Sequence, residues 1–262
     1  MRNFDKYYTE DLLSRQELTN DRRELVVKSN EIIRSSRYSL NTTEQKILIY
    51  IISQIRADDK EFREVDLSVQ EYAKLAGIEI NGKVYSRIKE HIQELADKSW
   101  WIPVSDKKDI LFRWIDLAEI EKGSGVIRIK LHSSLKPYLL ELRENFTKYE
   151  LINVLVLKSK YAIRLYELLK SYLWKGSWEV NIKELRSVLE VEDKYTEFKE
   201  FKRRIIVPAV NEINKYTDLD VKYSTIKKGK EVSKLLFTIE ETTGFQLSME
   251  VLLNQEKRLG NE

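Results

Sequence analysis

The chain runs through one series of folding signals twice, and this constrains its fold more than any other feature. Each series opens with apolar side chains at helical spacing. In "NTTEQKILIYIISQI" these are Ile47, Tyr50, Ile51 and Ile55. In "LKSKYAIRLYELLKSYL", Ile163, Leu165 and Tyr166 fall where the first segment has Ile47, Ile49 and Tyr50. A short capped helix follows in both. Ser68 and Glu71 have capping-box spacing, and Asn181 and Glu184 take the same places, with Ile182 on Val69 and Val188 on Leu75. The side chains of such a pair satisfy backbone N–H groups that have no partner inside the helix. A third helix presents Val84, Ile88, Ile92 and Leu95 in the first series, and Phe198, Phe201, Ile205, Ala209 and Ile213 in the second. Short β-branched and aromatic segments then follow. This order of helix, helix–turn–helix and hairpin is that of a winged helix. The fold expected is α+β and helix-rich: two tandem winged-helix domains with helix–turn–helix elements and β-hairpin wings.

The boundaries expected are a tail over 1–24, domain 1 over 25–145, domain 2 over 146–241 and a second tail over 242–262. Within them, "LVVKSNEII" reads as a strand or short helix. Thr42 and Gln45 fit a capping box, and Gly77 fits a left-handed helix stop. "WWIPV", "ILFRWIDL" and "VIRIKL" read as three strands, joined by the turns "SDKKD" and "EKGSG". "HSSLKPYLLELREN" reads as a connecting helix with Pro137 in its first turn, where a missing N–H costs least. "LDVKYSTI" and "VSKLLFTIEE" flank the turn "KKGKE", in which Gly229 supplies the tight bend. "QLSMEVLLNQEKRL" reads as a short helix, and the tryptophans, including Trp100, Trp101, Trp174 and Trp178, read as packing residues.

Charge is more informative by location than in total. The net charge is +3, but residues 194–204 carry +3 and residues 222–234 carry +4, which leaves −4 for the rest. The first window heads the third helix of the second series. On the phase set by its apolar residues, Lys199, Lys202, Arg203 and Ile206 point outward and Arg204 sits on the flank. Lys194, Tyr195 and Thr196 lie at its N-terminal end, where backbone N–H groups favour a phosphate. In a helix–turn–helix this helix enters the major groove of duplex DNA. There an Arg can bond guanine bidentately, while Lys and hydroxyl groups more often hold phosphates. The second window places Lys227, Lys228 and Lys230 at the tip of the hairpin, as a wing on a neighbouring phosphate or minor groove. Pro208 has no N–H for the Arg204 carbonyl, so a bend or break is expected there. The first unit has the same parts in weaker form: Lys83, Arg87 and Lys89 on its third helix, and Lys107 and Lys108 on its wing.

Other chemistry finds little support. "GIEINGKV" approaches a phosphate-binding loop, but Val84 replaces the hydroxyl residue and the glycine turn follows a helix rather than a strand. Cysteine is absent, and the two histidines, His91 and His132, are far apart. No catalytic residue, metal site or cofactor is therefore assigned, and the chain reads as a non-enzyme. It has no signal peptide at its start and no stretch approaching 18 apolar residues, which points to the cytoplasm and away from a membrane.

Three segments, "LVVKSNEII…LNTTEQKILIYIISQI", "FTKYEL…LKSKYAIRLYELLKSY" and "FKRRIIVPAVNEINKYTDLDVKYSTIKKGKEVSKLLFTI", resemble the Rep_3 family of plasmid replication initiators over roughly residues 25 to 240. The resemblance implies two winged-helix domains that bind direct repeats, called iterons, in a plasmid origin. It implies base reading by the third helix of the second domain, around Lys199, Lys202, Arg203 and Arg204. It also implies dimers formed through the first domain that repress their own promoter, and partners among host initiation and helicase proteins. Two alternatives stay open on the residues alone: a dimeric winged-helix repressor, and a winged-helix protein-interaction module.

Overall fold

The computed structural model describes residues 24–56, 59–105, 107–140 and 142–242. The expected C-terminal helix and all but the last residue of the N-terminal tail lie outside them.

The chain opens with β1 (Leu25–Ser29) and α1 (Asn30–Ser35), so the segment read as strand or helix is both. The first winged-helix series follows: α2 (Thr42–Ser53), β2 (Val65–Ser68), α3 (Val69–Leu75), α4 (Val84–Asp97), β3 (Ser99–Ser105), β4 (Lys108–Arg113), β5 (Ile115–Ile120) and β6 (Val126–Leu131). A short α5 (Lys136–Leu139), with Pro137 in its first turn, leads to β7 (Phe146–Glu150) and α6 (Ile152–Leu155). The second series is α7 (Lys160–Tyr172), β8 (Ser177–Asn181), α8 (Ile182–Val188) and α9 (Phe198–Phe201). A π-helical stretch (Lys202–Ile206), α10 (Val207–Tyr216), β9 (Leu219–Lys228) and β10 (Glu231–Glu241) complete it.

The two series close their sheets in the same way. The first three-stranded sheet has the order β2-β6-β5 and the second β8-β10-β9. In each, the strand between the first and second helices pairs with the last strand of the hairpin. The helix stops match too. After α3, the Gly77 N–H bonds to the Lys74 carbonyl and the Ile78 N–H to the Ala73 carbonyl, with Gly77 at φ +62°. After α8, the Glu190 N–H bonds to Ser187 and the Val191 N–H to Arg186, with Glu190 at φ +54°. This is the same left-handed stop, built once with glycine and once without it.

Four local expectations are corrected. Asn181 stands at the N-cap of α8 but makes no side-chain cap bond, so the pair it was expected to form with Glu184 is absent, whereas Ser68 accepts from the Glu71 N–H at the start of α3. The capping box of α2 is one residue earlier than Thr42 and Gln45: the Glu44 N–H donates to the Asn41 side chain, and Glu44 accepts from the Asn41 N–H. Gln45 instead reaches the Leu40 and Lys160 carbonyls, linking α2 to the start of α7. "ILFRWIDL" is two strands, because buried Trp114 breaks it into β4, which pairs with β3, and β5, which pairs with β6. Of the tryptophans, Trp100 stacks on Trp114 at 4.1 Å and Trp178 lies between Tyr172 and Phe237. Trp101 and Trp174, however, are 60% and 80% exposed, so packing does not explain them.

One continuous core joins both series, centred on α7, whose residues 162–171 are all buried. β1 pairs antiparallel with β7, from Leu25 opposite Glu150 to Ser29 opposite Phe146. The charged residues of α7 are buried only where partners meet them. Lys28 bonds Glu167 at 2.6 Å and the Tyr149 hydroxyl donates to the same oxygen. Arg164 donates to the Ser36 carbonyl at 2.8 Å, and Lys170 bonds Asp218 at 2.6 Å.

Candidate nucleic-acid interface

The cationic segment of the second series is continuous helix from Phe198 to Tyr216, without the break expected at Pro208. The proline's missing N–H is accommodated by the π-helical stretch just before it, where the Val207 N–H bonds back to the Lys202 carbonyl. Such a turn inserts one extra residue and shifts the helix phase. Ile206, expected to face outward, is therefore fully buried beside Ile205. Both isoleucines anchor the helix, and the three preceding cations are displayed on the other side: Arg203 and Arg204 are exposed and Lys202 half-buried.

These cations have defined surroundings. Arg203 places Nε 3.2 Å and Nη2 2.8 Å from the two carboxylate oxygens of Glu200, and Arg204 Nε lies 3.1 Å from one of them. Hydrogen bonds from Arg203 and then Arg204 hold the Glu200 carboxyl down to about 2, so it is ionised throughout the neutral range. Lys202 Nζ lies 5.7 Å from the centre of the Tyr223 ring on β9, which joins the helix to the base of the wing. Lys199 is exposed one turn earlier.

Lys194, Tyr195 and Thr196 precede the helix instead of opening it, since α9 begins at Phe198. They form the turn between α8 and α9, with Tyr195 at φ +54°. Arg186 of α8, a residue that sequence reasoning missed, ties this turn down. Its guanidinium donates to the carbonyls of Lys194 (2.9 Å), Tyr195 (2.7 Å) and Thr196 (3.0 Å), and its centre lies 4.5 Å from the Phe201 ring centre. Arg186 is buried, and nothing in the pattern of "NIKELRSVLEV" marks it, because a single arginine among apolar residues reads as a helix flank.

The wing is an antiparallel hairpin paired from Leu219–Glu241 to Lys228–Glu231. Gly229 turns it at φ +65°, and Lys227, Lys228 and Lys230 are all exposed at the tip. Strand β8 pairs only with residues 234–238 of β10, so the basic tip projects beyond the three-stranded part of the sheet.

In the first unit, Arg87 and Lys89 are exposed on α4 and Lys83 is exposed at its N-terminal boundary. The assignment of Lys107 and Lys108 to a wing is corrected. They sit at the tip of the separate β3–β4 ribbon, whereas the hairpin matching β9–β10 by sheet order is β5–β6, whose turn holds Lys122. Its outer face carries the cross-strand row Asp66, Arg128 and Glu119, which places an acid on either side of Arg128. Glu44, His91 and Glu94 bring ligand atoms within 4.8 Å of one another, but the Lys98 ammonium already occupies Glu44 at 2.5 Å.

Fold and surface together define a tandem winged-helix protein whose second unit displays a cationic helix and a cationic wing. The family models agree: "Initiator Replication protein, WH1" matches residues 25–170 and "Initiator Rep protein, WH2" matches residues 181–239. The chain belongs to this family of replication initiator proteins. A replication initiation protein of Escherichia coli is 27% identical over 250 residues, which cover 91% of this chain and 77% of that protein. The PI protein of Escherichia coli is 28% identical over 145 residues, 48% of this chain and 47% of its own. Among solved structures, Pi initiator protein in complex with iteron DNA matches with a TM-score of 0.69 at 21% identity, over 85% of this chain and 99% of that one, and so shares the fold.

Proposed function

We propose that this protein binds duplex DNA at short direct repeats, the iterons of a plasmid origin, and starts replication there by binding, without catalysis of its own. The observation that carries this reading is the second unit's surface. A helix displaying Lys199, Lys202, Arg203 and Arg204 meets a wing tipped by Lys227, Lys228 and Lys230, within a family of replication initiators. Arg203 and Arg204 read base edges, and the lysines together with the turn at Lys194, Tyr195 and Thr196 hold phosphates. Lys83, Arg87, Lys89, Lys107 and Lys108 make weaker backbone contacts from the first unit. The division is a first domain over 25–145, which also carries self-association and autorepression, and a second over 146–241, which reads sequence. The protein works in the cytoplasm with host initiator and helicase proteins. No helix among the described residues is long and apolar enough to cross a membrane.

The test is fluorescence anisotropy on duplex DNA from upstream of the protein's own gene, against scrambled duplex of equal composition, across a salt series. Preference for the native duplex by about 10³ or more is the expected result. Equal, steeply salt-dependent binding to both would reduce the helix to a phosphate holder and refute the proposal.

A further inference from the structure

One acidic side chain lies in the middle of the cationic helix face. Glu200 is a third exposed and uses both carboxylate oxygens on Arg203 and one of them again on Arg204. An ordinary exposed ion pair contributes little to stability and is readily exchanged. A carboxylate shared by two guanidinium groups on a DNA-facing helix has two further consequences. It occupies the Nε–Nη2 edge of Arg203, so that the end bearing Nη1 is the one presented to a ligand. It also places negative charge where a phosphate would otherwise be drawn in by two adjacent arginines.

We propose that Glu200 is a positioning residue for specificity: its carboxylate aims Arg203 and Arg204 at the edge of a guanine and opposes their capture by phosphate. The inference rests on the DNA-binding reading above. It assigns to an acid, which dilutes the positive charge, the task of converting general attraction into base reading. Guanine is the base because its O6 and N7 accept the paired N–H groups of a guanidinium, whereas a phosphate accepts from almost any orientation of the same group.

The experiment compares wild-type protein with Glu200→Gln and Glu200→Asp. Duplexes are first selected by the wild-type protein from a random pool, and binding to the selected and to scrambled duplex is then measured across salt. For Glu200→Gln the preference for selected duplex is expected to fall about tenfold or more, through weaker selected binding and about threefold tighter scrambled binding. The salt slope on scrambled duplex should steepen by about one. Glu200→Asp should restore part of the preference, and thermal midpoints should be unchanged, which separates aiming from folding. A wild-type preference that Glu200→Gln leaves intact would overturn this inference alone. A wild-type protein that selects no duplex would overturn the DNA-binding reading, and this one with it.

Discussion

Removing Arg186 should damage both stability and sequence reading. Its guanidinium is buried and donates to three successive carbonyls, those of Lys194, Tyr195 and Thr196, at 2.7–3.0 Å. Losing hydrogen bonds from a charged donor costs about 1.5–3 kcal/mol each where the acceptor stays dry. Here Lys194 and Thr196 are exposed and Tyr195 is half-buried, so water replaces much of that loss. The contact with the Phe201 ring adds about 0.5–1 kcal/mol. Together these give about 2–3 kcal/mol for Arg186→Ala. Arg186→Lys should lose about half as much, because one ammonium cannot span three carbonyls in a fan. The turn it holds sets where α9 starts, so preference for specific duplex should fall about tenfold in Arg186→Ala while scrambled binding changes little. Urea unfolding followed by tryptophan fluorescence gives the first number and anisotropy on the two duplexes the second. A stability change under about 0.5 kcal/mol, a typical surface value, together with unchanged preference, would refute the reasoning.

Other perturbations follow from the same geometry. Glu167→Gln leaves Lys28 buried without its counter-charge and should cost about 3 kcal/mol, and a Lys28→Met, Glu167→Leu double variant should recover most of it. Burial opposes ionisation of Glu167, but Lys28 and Arg164 beside it hold its carboxyl below 4.5. A lowered folded value means that this stabilisation is complete above 4.5 and lost as pH falls through the lowered value, so acid should destabilise wild type more than Glu167→Gln in urea titrations. Glu190→Gly should raise stability by about 1 kcal/mol, because φ +54° strains any side chain but suits glycine; a lower melting temperature would refute this. Lys228→Ala at the wing tip should make the salt slope of DNA binding shallower by about one, and an unchanged slope would remove the wing from the interface.

Much of this was legible because its causes are local. The helical spacing of Ile47, Tyr50 and Ile51, the cap at Ser68, the stop at Gly77 and the turn at Gly229 are written in adjacent residues, and each is found where it was read. The doubled series was legible for the same reason, since it is an ordered set of local signals. The cations of the third helix and the wing tip were visible as clusters, although which of them meet each other was not.

What the sequence by itself determined is therefore the kind of protein: two helix–turn–helix units with hairpins, and positive charge gathered on the second. Tertiary structure alone decided three things that depend on residues far apart in the chain. A missing N–H at Pro208 was resolved by a π-helical stretch instead of a break, and both Ile205 and Ile206 are buried by it. Arg186 became the anchor of the turn between α8 and α9 because the chain there folds back over it. Sheet pairing, not residue type, assigned the first unit's wing to β5–β6 and left the Lys107–Lys108 tip on a ribbon of its own. Spacing reports which way a side chain leaves its own helix or strand, but what waits there is set by the long-range pairing of the rest of the chain.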